Sequence, residues 1–387
     1  LRACGVKGAC NQPVCGVCGW KLVKNGRTSA GRTRWRCQSC GVSTIQARPD
    51  ITAKAQASMF LDWLLGKGGV KQLDIPRRTF SRRISWCWQV EVPKPSVTGE
   101  VYDQVLLDGI YLACGRCLIT ATEGRKIIDW QWCQRENSAA YQALMNRIPA
   151  PTVVVTDGGA GIAKALRLTW PESRIQRCLF HIRANTITDL THNPQSEAGK
   201  ALLGLANQLM GVKTPEDARK WLSLLQHWYR VYRDYINEKT YATEPGARKW
   251  WWTHKPVQKA YKRLERLAQS GYLFTWLDPK FTGLDIQRTT SRLEGDVNAA
   301  IRRLLNAHRG LSEPHMKTAV EWLLNQKSIN PADPITWLAK HRHNTSQPKP
   351  QPTVSEPISP TGYDTAINYN LAYQDGSLHI RKGWAGR

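Results

Sequence analysis

Pro151-Thr-Val-Val-Val-Thr-Asp-Gly-Gly159 is the stretch from which the rest of the chain is read. A run of β-branched residues of this length predicts a short buried strand, and the glycine pair stops it so that Asp157 emerges at its carboxyl end. Upstream, Val105 to Leu107 lead into Asp108-Gly109, which predicts a second strand ending in an aspartate. Two further strands are expected over residues 117–122 and 127–133, joined by a turn at Gly124, with Ile128, Trp130 and Trp132 alternating onto one face. A helix over residues 138–147 then leads through Pro149-Ala-Pro151 into the opening stretch, and another follows over residues 160–168. Three strands, a helix, a fourth strand and a helix are the order of a ribonuclease H-like mixed sheet. In that order the first and fourth strands are neighbours, which brings Asp108 and Asp157 together across forty-eight intervening residues.

The totals narrow the class of partner. The 387 residues are too many for one ordinary domain, so a multi-domain α/β chain is expected. With 55 Lys and Arg against 30 Asp and Glu the formal charge is +25, and a polyanion is the natural partner. No apolar run reaches membrane-spanning length and the basic residues are spread through every segment, which favours nucleic acid over a membrane. The chain opens Leu1-Arg-Ala-Cys-Gly5 without an apolar h-region, so no secretory signal is expected. Eleven cysteines in that setting read as reduced thiols and metal ligands rather than disulfides, and the expected location is cytoplasmic.

Cys15-x-x-Cys18 and Cys37-x-x-Cys40, eighteen residues apart, have the two-knuckle spacing of a four-cysteine Zn²⁺ site. Gly16, Gly19 and Gly41 suit tight knuckle turns, while Cys4 and Cys10 could replace a ligand or sit idle. Arg34, Arg36 and neighbouring basic residues lie between the knuckles beside Trp20 and Trp35, so the ribbon is read either as a stabiliser or as a DNA contact. Next, Ala57, Phe60, Leu61, Leu64 and Leu65 recur at helical spacing, Gly66, Gly68 and Gly69 end that element, and a short 70–73 segment precedes a second helix over about 77–88. Phe80, Ile84 and Trp88 would face inward on it, leaving Arg77, Arg78, Arg82 and Arg83 outward. This is the outline of a helix-turn-helix whose arginines suit phosphates and guanine edges, although a solvated basic face has the same pattern. Residues 93–99 read as a linker.

Downstream, Thr289 or Thr290 is the expected cap of a helix running to about Ala307, with Leu293, Val297, Ile301 and Leu304 or Leu305 as its inward stripe. Glu294, Asn298 and Arg302 share an adjoining face, so Glu294 could reach the aspartates and Arg302 a phosphate; a first-turn glutamate also suits the helix dipole alone. Between them and Cys178-x-x-His181 lie more than a hundred residues that read as helices. Thr214-Pro-Glu-Asp217 starts one with Trp221, Leu222, Leu225, Trp228, Tyr229, Tyr232 and Ile236 on one face. The Trp250-Trp-Trp252 run, flanked by basic residues, is read either as core or as a surface that stacks on bases. Cys114-x-x-Cys117 reads as buried thiols. Residues 347–360 form a Pro-rich linker, and 363–387 a short tail, basic at its end.

Asp108-Gly, Thr-Asp157-Gly-Gly, Arg-Cys178-Leu-Phe-His181 and Ser-Arg-Leu-Glu294-Gly, in this order, resemble bacterial insertion-sequence transposases of the Mutator-like, DDE type, over about residues 101–327. The resemblance implies Asp108, Asp157 and Glu294 as ligands of two Mg²⁺, with Asp108 between both and Mn²⁺ able to substitute, and His181 at the scissile phosphate or the sheet edge. It further implies cleavage at the ends of an element, joining of the freed 3′-hydroxyls to target DNA, terminal inverted repeats as the bound duplex, a homodimer or larger synaptic assembly, and a bacterial, nucleoid-associated location. The expected organisation is a zinc ribbon (1–46), a helix-turn-helix (50–92), a ribonuclease H-like core (100–185), an all-α insertion (186–285), the last core helix (286–328), and a linker with tail (329–387). Two rivals stay open: a nuclease or resolvase that cuts without joining, and a zinc-ribbon DNA-binding regulator without catalysis.

Overall fold

The computed structural model describes residues 13–15, 17–45, 49–66, 75–96, 98–112, 115–242 and 249–342. Cys4, Cys10, Gly16, Gly68, Gly69, the 70–73 segment, Cys114 and the Pro-rich linker with its tail lie outside the described residues. The amino-terminal part is a three-stranded antiparallel sheet of β1 (Leu22–Arg27), β2 (Thr33–Cys37) and β3 (Ser43–Ile45). Among the described residues its buried apolar cluster is Cys15, Leu22 and Cys37, with Trp35 packed against them. Two helices follow, α1 (Pro49–Leu65) and α2 (Arg77–Ile84), and a 3₁₀ turn over Ser85–Gln89 replaces the last turn expected of the second.

The central sheet has strand order β6-β5-β4-β7-β8, built from β4 (Gln104–Tyr111), β5 (Cys117–Glu123), β6 (Lys126–Cys133), β7 (Val153–Thr156) and β8 (Arg174–Arg177). The first three strands form an antiparallel meander, while β7 runs parallel to β4 and β8 parallel to β7. Because side chains alternate across a strand, the two faces have separate cores. Val105, Leu107, Ile119 and Val154 pack under α3 (Ser138–Met145) and α4 (Ala160–Thr169). Leu106, Ile110, Leu118 and Val155 face the other way, in one cluster with Phe60 and Leu64 of α1 and Phe80 and Ile84 of α2. The expected alternation of Ile128 with Trp130 and Trp132 is not observed. The β5–β6 register slips between Ala121 and Thr122, skipping Ile128, so Ile127 joins the Trp130 face and Ile128 turns to the other.

A second, self-contained core fills the stretch expected to be all-helical. It comprises α5 (Leu179–Leu190), α6 (Glu197–Gln208), α7 (Pro215–Ile236) and α8 (Lys255–Gln269). Thr214 and Asp217 form a capping box at the start of α7, which buries Trp221, Leu225, Trp228 and Ile236. The segment departs from the expectation between α7 and α8, where β9 (Lys239–Tyr241) pairs with β10 (Trp250–Trp252). Consecutive aromatic and β-branched residues give one face to each neighbour in a hairpin, and a helix would wrap them around its whole circumference. Chain order ends with α9 (Ser291–Leu293), a π-helical turn over Glu294–Asn298, α10 (Ala299–Ala307), α11 (Glu313–Lys327) and α12 (Pro334–His341). Leu293, Val297, Ile301 and Leu304 are buried on the Leu106 face of the sheet, and α12 packs against α1 where a linker was expected. Among the described residues no helix is long and apolar enough to cross a membrane.

Candidate active site

Register decides which residues meet. Gln104, Val105, Leu106 and Leu107 stand opposite Val153, Val154, Val155 and Thr156, so Asp108 and Asp157 come next. Asp157 follows the last residue of β7, but Asp108 does not end its strand as expected, because pairing with β5 carries β4 on to Tyr111. Both continue the face carrying Leu106 and Val155, because each lies two residues beyond its counterpart. On that face Asn298, 4% exposed, donates its Nδ2–H to Asp108 Oδ2 at 2.8 Å. Asp157 is held at the strand end by its surroundings. Gly159 N–H donates to Oδ1 at 3.1 Å, and the Arg177 guanidinium donates to its backbone carbonyl. The intervening Gly158 has φ +74°, and a Cβ there would fall 1.8 Å from the Arg177 guanidinium carbon.

Glu294 arrives from the opposite end of the chain on the π-helical turn, a local widening often found at functional sites. Its carboxylate accepts the Thr290 hydroxyl at 2.9 Å and lies 3.8 Å from His181 Nδ1. Thr290 therefore does not cap the helix through its side chain, as expected, but is turned to Glu294. Cys178 N–H donates to Thr156 O at 2.8 Å, so the start of α5 is fixed against the end of β7. This carries His181 to the edge of the site, where Cys178 Sγ, a His181 ring nitrogen and a Glu294 oxygen all fall within 4.8 Å of one another. The carboxylates of Asp108, Asp157 and Glu294 are not gathered that tightly among the described residues, because Glu294 leans to Thr290 and His181.

The charges here are coupled. Burial pushes the Asp108 carboxyl up to about 7, with the Glu294 and Asp157 charges adding to it while Asn298 and His181 oppose. His181 is raised to about 9, chiefly by its hydrogen bond with Cys178 and further by the nearby Cys178, Glu294 and Asp157 charges, against its own burial. Burial alone would raise the Cys178 thiol, yet hydrogen bonds with His181 and Thr290 bring it below its ordinary value. A carboxyl raised by burial and further by two neighbouring carboxylates is a set that a divalent cation would relieve, and Asp108 and Asp157 present the oxygen donors that Mg²⁺ takes.

At the four-cysteine cluster, Cys15 and Cys40 Sγ are 3.5 Å apart and Cys18 and Cys37 Sγ 3.4 Å. All four sulfurs lie within 4.8 Å of one another and could hold a zinc ion. Gly19 and Gly41 adopt φ +72° and +73° and return their N–H groups to the Cys15 and Cys37 carbonyls, closing each knuckle. Hydrogen bonds from the Cys18 and Val17 backbone lower the Cys15 thiol to about 6. Cys40 is pushed up to about 12, because hydrogen bonds with the other three thiols outweigh the Val42 backbone bond that lowers it.

Arg34 and Arg36 on β2, Arg77, Arg78, Arg82 and Arg83 on α2, and Arg302 on α10 are all exposed. Sequence reasoning named Asn298 without a role, took Thr290 only as a cap, and passed over Arg177 and β8. The Glu294-x-x-x-Asn298 spacing was the available signal for the first; short, polar Arg174–Arg177 offered none.

Residues 113–185 match the MULE transposase domain, a span that holds Asp157, Cys178 and His181 but neither Asp108 nor Glu294. Over 151 residues the chain is 26% identical to the transposase for insertion sequence element IS905 of Lactococcus lactis subsp. lactis (strain IL1403). The aligned part is 34% of this chain, and the chain spans 37% of the length of that relative.

Proposed function

We propose, from the premise that these two matches support an insertion-sequence transposase of the Mutator-like kind, that this chain cleaves the ends of a DNA element and joins them to target DNA at the Asp108–Asp157–Glu294 site. The observation that carries the reading is the β4–β7 register, which brings Asp108 inside β4 next to Asp157 just past the end of β7, together with a Glu294 charge near enough to raise the Asp108 carboxyl. The 6-5-4-7-8 strand order supports a ribonuclease H-like core, with the α5–α8 segment as its insertion.

Asp108, Asp157 and Glu294 would hold Mg²⁺, or Mn²⁺ in its place. When bound, the ions supply Lewis-acid activation of the attacking oxygen and stabilisation of the leaving oxygen at phosphorus. The chain's own residues prepare the rest. Asn298 fixes the Asp108 rotamer, and the Arg177 bond to the Asp157 carbonyl fixes the turn that aims Asp157. His181, raised to about 9, would donate to a non-bridging phosphate oxygen, and exposed Arg302 to a neighbouring phosphate. Arg77, Arg78, Arg82 and Arg83, with Arg34 and Arg36 of the zinc-holding ribbon, would bind the terminal inverted repeats as double-stranded DNA. Two such ends held together call for a homodimer or larger assembly, at work on the nucleoid in a bacterial cytoplasm.

The test uses a labelled fragment carrying an element end, a target plasmid and Mg²⁺. Nicking and joining are expected from the native chain, and a loss on the order of 10³-fold from Asp157→Asn with DNA binding retained. Equal activity in both removes Asp157 from the site. Cutting without joining establishes the nuclease reading instead, and binding with neither reaction the regulator.

A further inference from the structure

Cys178, His181 and Glu294 form a ligand set that the proposed reaction does not explain. Mg²⁺ and Mn²⁺ favour oxygen donors, and a sulfur among three ligands is the choice of a softer ion. Zn²⁺ makes bonds of about 2.0–2.3 Å to N, O and S, which sets tetrahedral ligand–ligand edges of roughly 3.3–3.8 Å. The His181 Nδ1 to Glu294 Oε1 edge is 3.8 Å, and all three donor atoms lie within 4.8 Å.

The set is also braced as metal ligands usually are. Thr290 gives its backbone N–H to Cys178 Sγ at 3.3 Å. Its hydroxyl lies 3.3 Å from the same sulfur and 2.9 Å from Glu294 Oε1, and the single hydroxyl proton serves the shorter contact. One residue thus orients two donors from distant parts of the chain, the arrangement that holds ligands around an ion. Cys178 is fully buried, whereas His181 and Glu294 are half-buried, so the site is closed behind the sulfur and open towards the carboxylates.

The geometry points to a second, thiophilic cation site made of Cys178 Sγ, His181 Nδ1 and a Glu294 oxygen, suited to Zn²⁺, with a fourth position left for water or a phosphate oxygen. Binding takes the thiolate and the unprotonated Nδ1, so it releases any protons those atoms carry. The zinc stoichiometry of the site can be tested without the proposed reaction, although His181 and Glu294 are shared with it. Its consequence rests on that reading: a zinc ion here engages Glu294 and withdraws it from Asp108 and Asp157, so Zn²⁺ opposes Mg²⁺-dependent cleavage.

The experiment is zinc stoichiometry on the full chain, stripped with chelator and dialysed against rising free Zn²⁺. The native chain is expected to take a second zinc equivalent beyond the ribbon's. The Cys15→Ser/Cys37→Ser variant should retain one, with an X-ray absorption spectrum showing one sulfur among nitrogen and oxygen ligands. Adding Cys178→Ser to that variant should abolish it, and His181→Ala, which leaves the thiol in place, should weaken it by at least about tenfold. Saturation of the native chain at one equivalent, or a second zinc that survives Cys178→Ser with no sulfur ligand, overturns the site. In parallel, micromolar Zn²⁺ is added to the Mg²⁺ cleavage reaction. A second zinc bound with cleavage unimpaired overturns the shared use of Glu294 and leaves the site standing, whereas no cleavage under any metal condition tests only the proposed function.

Discussion

Cys15, Cys18, Cys37 and Cys40 converge because two knuckles bring them together on a three-stranded sheet, whereas Asp108, Asp157, His181 and Glu294 approach one another only once the five-stranded sheet and two distant helical elements, α5 and the π-helical turn, are in place. The ribbon has almost nothing else to hold it, with three buried apolar positions and Trp35 beside them. The sheet site lies between two full cores and keeps its arrangement by packing and by hydrogen bonds from Asn298, Thr290 and Arg177. In the first, the ion would supply the fold; in the second, the fold supplies the arrangement and works against its own charge, which a bound cation would offset.

Chelation breaks that comparison most directly. Structural zinc contributes on the order of 10 kcal/mol to modules without a core of their own. Zinc removal, or Cys37→Ser, is therefore expected to erase amide-exchange protection across Leu22–Arg27 and Thr33–Cys37 while leaving β4 and β7 protected. Ribbon amides that stay protected after chelation would show that the four thiols are held by packing, and the contrast would fail.

The next effect lies in the sheet site and has the opposite sign. Asp108 is raised from its ordinary 3.8 to about 7 in the folded chain, so folding favours its protonated form. Stability from this group is full below about pH 4 and is lost as pH rises through about 7. In metal-free protein, Asp108→Asn should therefore raise the unfolding free energy at pH 8, by as much as about 4 kcal/mol, and the gain should shrink towards pH 5. Denaturant melts of both proteins in chelator across that range measure it. A variant less stable than its parent at pH 8 would mean the fold is not paying for an exposed-to-bury charge at this position.

How much of this was readable beforehand follows the same division. The ribbon's ligands were legible from spacing alone, because each pair lies within one turn of chain and the glycines mark the turns. That Asp108 and Asp157 follow paired residues of neighbouring strands was legible one step later, since it needed the strand order, which was read from the succession of three strands, a helix and the Val-Val-Val-Thr strand. Glu294 could be placed on a helix but not aimed. Its direction depends on a π-helical turn and on Thr290, Cys178 and His181, contacts that no local pattern encodes. The same limit hid β8, whose Arg-Ile-Gln-Arg sequence becomes a strand only because β7 is there to pair with it. It also hid the β9–β10 hairpin, where three tryptophans in a row carry no period that separates strand from helix.

Gly158 sharpens the comparison from the backbone side. Its φ of +74° costs an L-residue about 1–2 kcal/mol, and a Cβ would also displace the Arg177 guanidinium from the Asp157 carbonyl. Gly158→Ala is expected to lower stability by about 2–3 kcal/mol and to reduce cleavage beyond what the stability loss explains, because the turn that aims Asp157 moves. The equivalent change in the ribbon, Gly41→Ala, carries the same strain with nothing within 4 Å to collide with, so it should cost less. Equal losses at the two glycines would show that Arg177 gives way freely and does not position Asp157.

The smallest effect tests whether the sheet site is organised around the charged form of Asp108 at all. Asn298 donates to the Asp108 carboxylate from a buried position, and that bond lowers the carboxyl's proton affinity against the burial that raises it. A hydrogen bond of this kind favours the ionised state, so its loss matters only where Asp108 is ionised. Asn298→Ala should cost about 1–2 kcal/mol at pH 8 and less at pH 5, and should move the rise of Mg²⁺-dependent cleavage to higher pH. Asn298→Asp, nearly the same shape but an acceptor when ionised, should shift that rise further, since it adds a charge beside Asp108. If both variants leave the profile where it was, Asn298 acts only as packing for the π-helical turn, and the site's charge is balanced by His181 alone.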